Sequence, residues 1–278
     1  MKQLAVIGFT LSAVYCSAAS LACTKPIKMA IEQWPPYAYT DSKGQAAGVD
    51  IEILKAVFAE ARCTLQIGPE LPRKRRQVMF MEGQIDLMLA ASETPERREF
   101  SWFTAPYRDE SVSLFALINN AEKYYSLDGF APILNRKISL LIPNAGWYGE
   151  DYKKHYFWLN EARLLSPFET FSQGMKMLGA GRAQLLMGDT GAIYYEAKQQ
   201  RIAVTALPTQ ILSEPVRFML SKKSVTEADT EVLNAALARL EKRGVLKKIR
   251  QHYGLTLTPM SSPAPNGVTS QLAIHRRT

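Results

Sequence analysis

The sequence predicts an α/β protein of two similar lobes, each built on a parallel sheet whose strands end at the gap between the lobes. Two observations support this prediction. Residues 26–91 alternate between strand and helix patterns, which is typical of a parallel sheet with right-handed crossovers. The stretch Gly83–Ala91 is then echoed by Gly181–Asp189, since in both a helix end and a glycine precede an apolar strand. We therefore expect Ala91 and Asp189 to be equivalent strand ends.

The first lobe follows from the order of its patterns. A strand at residues 26–32 runs into an extended loop, because Pro35 and Pro36 exclude a helix there. Asp50 is expected to cap a helix with apolar residues at helical spacing, which ends near Arg62. The remaining elements are a strand, a helix and a buried strand at residues 65–67, 75–82 and 85–91.

The second lobe is predicted between two strands that cross the gap, at residues 111–118 and 211–220. Its own elements include a strand, a helix and a strand at residues 137–142, 171–178 and 185–189. Two amphipathic helices then return to the first lobe, at residues 227–244 and 245–253. The expected division is residues 23–110 and 213–257 in lobe 1, and residues 111–212 in lobe 2.

The two termini are predicted to lie outside the fold. Residues 1–22 have a positive start at Lys2, an apolar run and then small residues before a cut after Ala22, which is the pattern of a signal peptide. The apolar run is shorter than the roughly 20 residues that a membrane-spanning helix needs. Residues 258–278 show no apolar periodicity and are expected to be disordered. The sequence thus indicates export to the periplasm.

Two of the three cysteines remain once the signal peptide, which contains Cys16, is removed. An even pair in an oxidising compartment predicts a disulfide between Cys23 and Cys63. The alternative is that Cys23 is the lipid-modified first residue of a lipoprotein. Ser20 argues against this alternative, because lipoprotein cleavage sites usually carry an aliphatic residue at that position.

The formal net charge of +8 is compatible with nucleic-acid binding, but the distribution of the charge argues against it. Basic residues are scattered except at Arg73–Arg76, a short run without interleaved aromatics that is interpreted as a solvated helix start. A second hypothesis is that a guanidinium of this run meets an acidic side chain of a ligand. The three histidines lie far apart and show no metal spacing, so neither a metal nor another cofactor is expected.

Polar residues that follow the buried strand of the first lobe are the main candidates for ligand binding. Ser92, Thr94 and Arg97 come just after it, and Pro95 is placed to begin a helical turn. Ligands of open α/β sheets bind at the carboxyl ends of the strands, where a guanidinium holds a carboxylate through two parallel hydrogen bonds. The alternative is a surface turn with a solvated arginine. Asp189 holds the equivalent place in the second lobe, and a cation and an anion facing across a cleft suit a zwitterion.

The loop after the first strand carries three aromatic side chains, Trp34, Tyr37 and Tyr39, on a backbone that two prolines stiffen. Such rings either stack on a ligand or cover the edge of the lobe. The residues by themselves favour the second interpretation.

These features together resemble the family 3 extracytoplasmic solute-binding proteins, the polar amino acid receptors of ABC importers. The resemblance covers about residues 24–256. It rests on the order and spacing of short motifs, namely Trp34-Pro35-Pro36-Tyr37, Gly48-Val49-Asp50-Ile51-Glu52-Ile53, Gly83-x-x-Asp86, Thr94-Pro95-Glu96-Arg97, Phe100-Ser101 with Pro106-Tyr107, Gly181-Arg182 before Asp189, and Gly244-x-Leu246-x-x-Ile249 with Tyr253-Gly254. The implied fold is a Venus flytrap, whose two lobes close over the ligand about crossover hinge strands.

The resemblance also implies roles for the polar candidates. Arg97 takes the place of the arginine that binds the α-carboxylate of the ligand, with Ser92 and Thr94 as donors beside it. Asp189 takes the place of the aspartate that receives the α-amine. Relatives often have Gly-Thr or Gly-Ser after the first strand of the second lobe, where this chain has Pro143 followed by Asn144. Asn144 is therefore included among the expected ligand-binding residues.

The aromatic loop acquires a role in the same way. Trp34 stands where the stacking aromatic of the family stands, and we expect Tyr37 of the same loop to contribute to the site.

The function that the resemblance implies is reversible binding of a small amino-acid-like solute in the periplasm, for delivery to an inner-membrane ABC permease. Binding proteins of this kind are generally monomers. One alternative is a sensor module that acts through a separate partner. Another is a periplasmic enzyme like the cyclohexadienyl and arogenate dehydratases, which would need a general acid such as Glu32, Glu93 or Glu214 in the cleft.

Overall fold

The computed structural model describes residues 22–255. The predicted signal peptide, apart from Ala22, and the predicted disordered tail lie outside the described residues. Within residues 22–255, no helix has both the length and the apolar character that a membrane crossing requires.

Strands and helices alternate along most of the described chain. The strands are β1 (Ile27–Ile31), β2 (Tyr39–Thr40), β3 (Ala46–Ala47), β4 (Leu65–Glu70), β5 (Leu87–Ala91), β6 (Ser101–Phe103), β7 (Arg108–Leu117), β8 (Leu140–Pro143), β9 (Leu165–Phe168), β10 (Leu185–Asp189) and β11 (Val204–Ser221). The helices are α1 (Val49–Ala61), α2 (Arg73–Met81), α3 (Pro95–Phe100), α4 (Phe130–Asn135), α5 (Gly149–Glu161), α6 (Phe171–Gly179), α7 (Thr190–Gln200), α8 (Glu227–Lys242) and α9 (Val245–His252), with a 3₁₀ helix at Ile118–Tyr124.

The sheet of each lobe has a parallel part that antiparallel strands complete. In lobe 1, β1 is parallel to β4, and the chain entering β5 bonds to β1 through the Asp86 amide and the Lys28 carbonyl at 2.8 Å. β5 and β6 both pair antiparallel with β11. In lobe 2, β8 is parallel to β9 and β10, and β10 is antiparallel to β7. Each lobe therefore contains parallel strand pairs, as predicted, together with antiparallel pairs.

Two long strands, β7 and β11, connect the lobes. They pair antiparallel from Val204 opposite Leu117 to Val216 opposite Arg108. β11 continues into lobe 1 to pair with β5, and β7 continues along β10 in lobe 2. This double crossing has the arrangement of a hinge about which two lobes close.

The beginning of α1 differs from the prediction. Its N-cap is Gly48 and not Asp50, whose side chain turns into the interior. Gly48 has φ of 108°, and a Cβ atom at this position would lie 2.3 Å from the carbonyl oxygen of Tyr37. Only glycine fits this backbone, because other residues would be strained in conformation and would clash.

The disulfide between Cys23 and Cys63 is present, with the two Cα atoms 5.1 Å apart. It joins the start of the described chain to the loop after α1. The next residue, Thr24, bonds to the Asp229 carboxylate of α8 through its amide at 2.7 Å and its hydroxyl at 2.9 Å. A sulfur in a disulfide is not available for a lipid thioether, so the structure supports the first of the two predictions for Cys23.

Candidate functional site

A cavity of about 280 Å³ lies between the two lobes, beside the carboxyl ends of β5 and β10. Its wall includes Trp34, Ser92 and Arg97 from lobe 1, and Phe171 and Asp189 from lobe 2. Both the place and the size are typical of small-molecule sites in α/β proteins.

Arg97 forms no ion pair within the described chain, although the negative charges of Glu214 and Glu110 act on its guanidinium. Pro95 begins α3 and the Thr94 hydroxyl accepts the Arg97 amide, so the helix start holds the side chain in place. Its Nη1 donates to the Ser92 carbonyl at 2.8 Å, but no ion pair joins it to an acidic side chain among residues 22–255. Burial lowers the pKa of this guanidinium, although it stays charged. The remaining donors are available to an anion in the cavity.

Asp189 supplies the opposite charge from lobe 2. It ends β10 and caps α7, where its Oδ1 accepts the Ala192 amide at 2.7 Å. The residue is buried. The Tyr37 hydroxyl approaches its carboxylate and lowers its pKa, but Oδ2 accepts no hydrogen bond of normal geometry in the described part of the chain. Burial raises the pKa of Asp189 to about 6, an effect that the positive charge of Arg108 opposes. An unsatisfied buried carboxylate oxygen is unfavourable unless a ligand supplies the donor.

Trp34 and Tyr37, the two aromatic residues of the first loop that were expected to bind the ligand, have different places. The Trp34 ring lies on the cavity and stacks against Phe171 of the other lobe, with ring centroids 6.4 Å apart. Tyr37 lies behind it, outside the cavity lining, with the Arg108 guanidinium 3.9 Å from its ring centroid. Its hydroxyl approaches Gly191 so closely that a Cβ atom there would lie 2.3 Å away. Tyr37 is thus placed to support the site from behind and to contact lobe 2.

A buried ion pair underlies this loop. The Arg108 guanidinium donates to both carboxylate oxygens of Asp50, at 2.6 and 2.9 Å, and neither side chain is exposed to solvent. Arg108 also lies 5.4 Å from the ring centroid of Trp34. The pair therefore fixes the start of α1, the hinge strand β7 and the aromatic loop relative to one another.

The arginine run of α2 reaches the cleft through two of its members. Arg73 and Arg76 both line the cavity and both pair with Glu32, at 2.7 and 2.5 Å, whereas Arg75 is exposed. These pairs hold the pKa of Glu32 below its usual value in spite of burial. The interpretation as a solvated helix start is therefore wrong for Arg73 and Arg76.

Arg73 also joins the two lobes. Its Nη1 donates to the carbonyl of Ala145 at 2.7 Å and to the hydroxyl of Tyr148 at 3.1 Å, both in lobe 2. At the outer edge of the cleft, Lys153 of α5 pairs with Glu96 of α3 at 2.8 Å. The two lobes are therefore in contact across the cleft in this structure.

Glu110, a further acidic residue of the cavity wall, is not among the residues predicted from the sequence. It lies on the hinge strand β7 and pairs in register with Glu214 of β11. Burial and the negative charge of Asp189 raise the pKa of Glu110 to about 8, although Arg108 and Arg73 oppose the shift. Its position follows from the pairing of two distant strands, and no local pattern marks it in the sequence.

The remaining predicted residues are distributed over two neighbouring cavities. Ser92 is buried and lines the cavity described above. Thr94 and Asn144 line a second cavity of about 660 Å³ that adjoins the first at Arg97. The Thr94 hydroxyl caps α3, and the Asn144 amide donates to the Glu169 carboxylate. In this structure, both side chains are thus engaged within the protein.

Taken together, the first cavity presents a guanidinium without an ion pair in the described chain from one lobe, and a carboxylate oxygen without a hydrogen bond there from the other. A charge that is buried without a partner is costly, and charged pairs inside proteins are normally hydrogen-bonded. A molecule with a carboxylate and an ammonium group would satisfy both sides at once.

The chain is similar in sequence to known bacterial binding proteins. The sequence profile of the bacterial extracellular solute-binding proteins, family 3, matches residues 27–256 of the chain. The chain is 25% identical over 256 residues to the putative ABC transporter arginine-binding protein 2 of Escherichia coli (strain K12). This match covers 88% of this chain and 93% of that protein. It is 22% identical over 241 residues to the amino-acid-binding protein AabA of Dichelobacter nodosus, covering 84% and 91% of the two chains.

A solved structure shows the same fold. A histidine kinase sensor domain with similarity to periplasmic binding proteins matches with a TM-score of 0.72 at 16% identity, over 85% of this chain and 99% of that one. The predicted two-lobe fold is confirmed.

Proposed function

Because this chain belongs to the bacterial extracellular solute-binding proteins of family 3, we propose that it is a receptor that binds a free amino acid between its lobes. Arg97 binds the α-carboxylate and Asp189 binds the α-ammonium group. Ser92 and Trp34 complete the wall around these groups. The observation that carries the proposal is that one cavity presents, from opposite lobes, a guanidinium that forms no ion pair in the described chain and a buried carboxylate with one oxygen that accepts no hydrogen bond there.

The energetics of the site support binding of a zwitterion. Hydrogen bonds to charged groups contribute about 1.5–3 kcal/mol each when water is excluded. The ligand therefore favours the closed arrangement, in which both lobes reach it together, and the hinge strands β7 and β11 allow the lobes to separate for release.

The biological role that fits this site is uptake. Both relatives named above are described as binding proteins, one of them for an ABC transporter. We propose that the mature chain acts as a monomer in the periplasm and delivers its ligand to an inner-membrane ABC permease.

The proposal is tested by removing the charge of each α-group of the ligand in turn. All twenty amino acids are first compared in a thermal-shift assay, and the best is then compared by calorimetry with its N-acetyl and carboxamide derivatives. Each derivative is expected to bind at least about 100-fold more weakly, since it loses the charge that meets Asp189 or Arg97. Equal binding of the free amino acid and either derivative would contradict the proposed orientation.

The charge of Asp189 predicts a pH dependence. With its pKa raised to about 6, the carboxyl is ionised above that pH and becomes protonated below it, so it loses its attraction for an ammonium group. We expect the affinity for an amino acid with a non-titrating side chain to fall about tenfold between pH 7.5 and pH 5. Calorimetry at the two pH values measures this, and Asp189→Asn is expected to bind weakly at both. An unchanged affinity of the wild type, together with tight binding by Asp189→Asn at pH 7.5, would show that Asp189 does not meet the ammonium group.

The dehydratase alternative requires a protonated carboxyl in the cleft. Glu32 is paired with Arg73 and Arg76, which hold its pKa below the usual value, and Glu93 forms ion pairs with Arg98 and Arg217. Glu110, by contrast, has the raised pKa that a general acid needs. Turnover of prephenate or arogenate by the wild type, with loss of turnover in Glu110→Gln, would replace the receptor proposal with an enzymatic one.

A further inference from the structure

We infer that the receptor selects amino acids with an uncharged, apolar side chain, which enters a recess of lobe 1. The inference rests on the proposed function and concerns the part of the same cavity that the α-groups do not use. This apolar recess is formed by six side chains of lobe 1, namely Phe80, Met81, Met88, Leu89, Phe100 and Met219.

The recess is built from four elements that meet at one end of the cavity. Phe80 of α2 is buried and packs edge-on against Phe100 of α3, with ring centroids 6.4 Å apart. Met88 of β5 and Met219 of β11 pair in register beneath them. Methionine side chains are flexible and make favourable contacts with aromatic rings. Such a recess adapts to straight, branched or aromatic apolar groups.

Charges on the lobe 1 wall argue against a cationic ligand side chain. Glu32 is the one acidic side chain that lobe 1 contributes to the described lining of this cavity outside the hinge strands. Both of its oxygens are occupied, one by Arg73 and the other by Arg76. The three groups together carry one positive charge, so the ammonium of lysine or the guanidinium of arginine would be repelled there.

An anionic side chain is also disfavoured. The donors of Arg73 are directed to Glu32, Ala145 and Tyr148, and Arg76 is buried against Glu32 and the Leu71 carbonyl. The net positive charge of this wall would attract a carboxylate, but the carboxylate would be desolvated among apolar side chains while the guanidinium donors named above are used by acceptors of the protein. The apolar alternative needs no partner and gains from burial.

A homologous series of ligands tests the inference on the full mature chain. Alanine, 2-aminobutyrate, norvaline and norleucine share the same α-groups and differ by one methylene at a time. Each buried methylene is expected to raise the affinity about fourfold, so norleucine should bind about 60-fold more tightly than alanine. Norleucine should also bind at least about tenfold more tightly than lysine, which adds a charge at the end of a similar chain.

A matched pair of variants tests whether the recess causes the preference for an apolar side chain. Met81 and Val78 lie on the same helix and are both partly exposed, at 42% and 55%, but only Met81 lines the cavity. Met81→Glu is expected to reduce the preference for norleucine over lysine at least about tenfold, because it places a carboxylate at the recess. Val78→Glu adds the same charge to the same helix and is expected to leave the preference unchanged.

Three outcomes would overturn the inference. The first is that alanine binds as tightly as norleucine, or that lysine, arginine or glutamate does. Either result would show that the recess does not select an apolar side chain. Equal effects of Met81→Glu and Val78→Glu would show that the recess is not its location. If no amino acid binds at all, the proposed function fails as well, and this result is distinct from the first two.

Discussion

Replacement of Arg97 by glutamine is expected to weaken amino-acid binding by at least about 100-fold. The substitution removes two charge-assisted hydrogen bonds to the α-carboxylate, each worth about 1.5–3 kcal/mol, and 1.4 kcal/mol corresponds to a factor of ten in affinity. Calorimetric titration with the best ligand of the wild type measures the loss. The proposed orientation would be contradicted by a loss smaller than about fivefold.

The free energy of unfolding distinguishes a binding role of Arg97 from a structural role. The guanidinium is partly buried without an anionic partner in the described chain, so its removal relieves a desolvation penalty. The free energy of unfolding of Arg97→Gln is therefore expected to be equal to or higher than that of the ligand-free wild type. Arg98→Gln is the matched control. The Arg98 side chain is 67% exposed and pairs with Glu93, so its replacement should change affinity about twofold or less.

Replacement of Asp50 by asparagine is expected to lower the free energy of unfolding by about 3–5 kcal/mol. This change leaves Arg108 as an uncompensated charge in a place where neither partner is exposed. Chemical denaturation, followed by circular dichroism, measures the effect. A loss below about 1 kcal/mol would show that the pair is not important for stability.

A double variant of the ion pair and a control variant identify the cause of this loss of stability. Asp50→Asn combined with Arg108→Met removes both charges, and it is expected to be more stable than Asp50→Asn alone because the buried guanidinium that lost its carboxylate is also removed. Asp128→Asn is the control for loss of an acidic side chain, since Asp128 is exposed. It should change the free energy of unfolding by less than about 0.5 kcal/mol.

The sequence predicted the order of the elements and the ends of the two most informative strands. β5 ends at Ala91 and β10 ends at Asp189, as the echo between the two stretches indicated. Apolar runs, glycines and helix caps act over a few residues, so they can be recognised in the sequence without knowledge of the fold. The same local patterns placed Arg97 after a buried strand and beside a helix-starting proline. The two cysteines were paired correctly because only two remained after the signal peptide.

The pairing of distant charges depended on the tertiary structure. Asp50 was interpreted as a helix cap, but it pairs with Arg108, 58 residues away. Arg73 and Arg76 were interpreted as solvated, but Glu32 lies beside them because β1 ends next to the start of α2. A charged side chain looks the same in a local sequence pattern whether it is solvated or paired. Its partner is decided by which distant elements pack beside it in the fold.

The sequence by itself therefore determined the fold class, the strand ends that face the cleft and the two charged residues proposed for the α-groups. Only the tertiary structure decided the lining of the rest of the cavity, including Glu110 and the apolar recess. The bulge at Ala90 illustrates why: this residue has φ of 47°, and its amide bonds to the Tyr107 hydroxyl at 2.9 Å. The register of β5 against β11 shifts there, and such a shift is set by contacts between strands that lie more than a hundred residues apart in sequence.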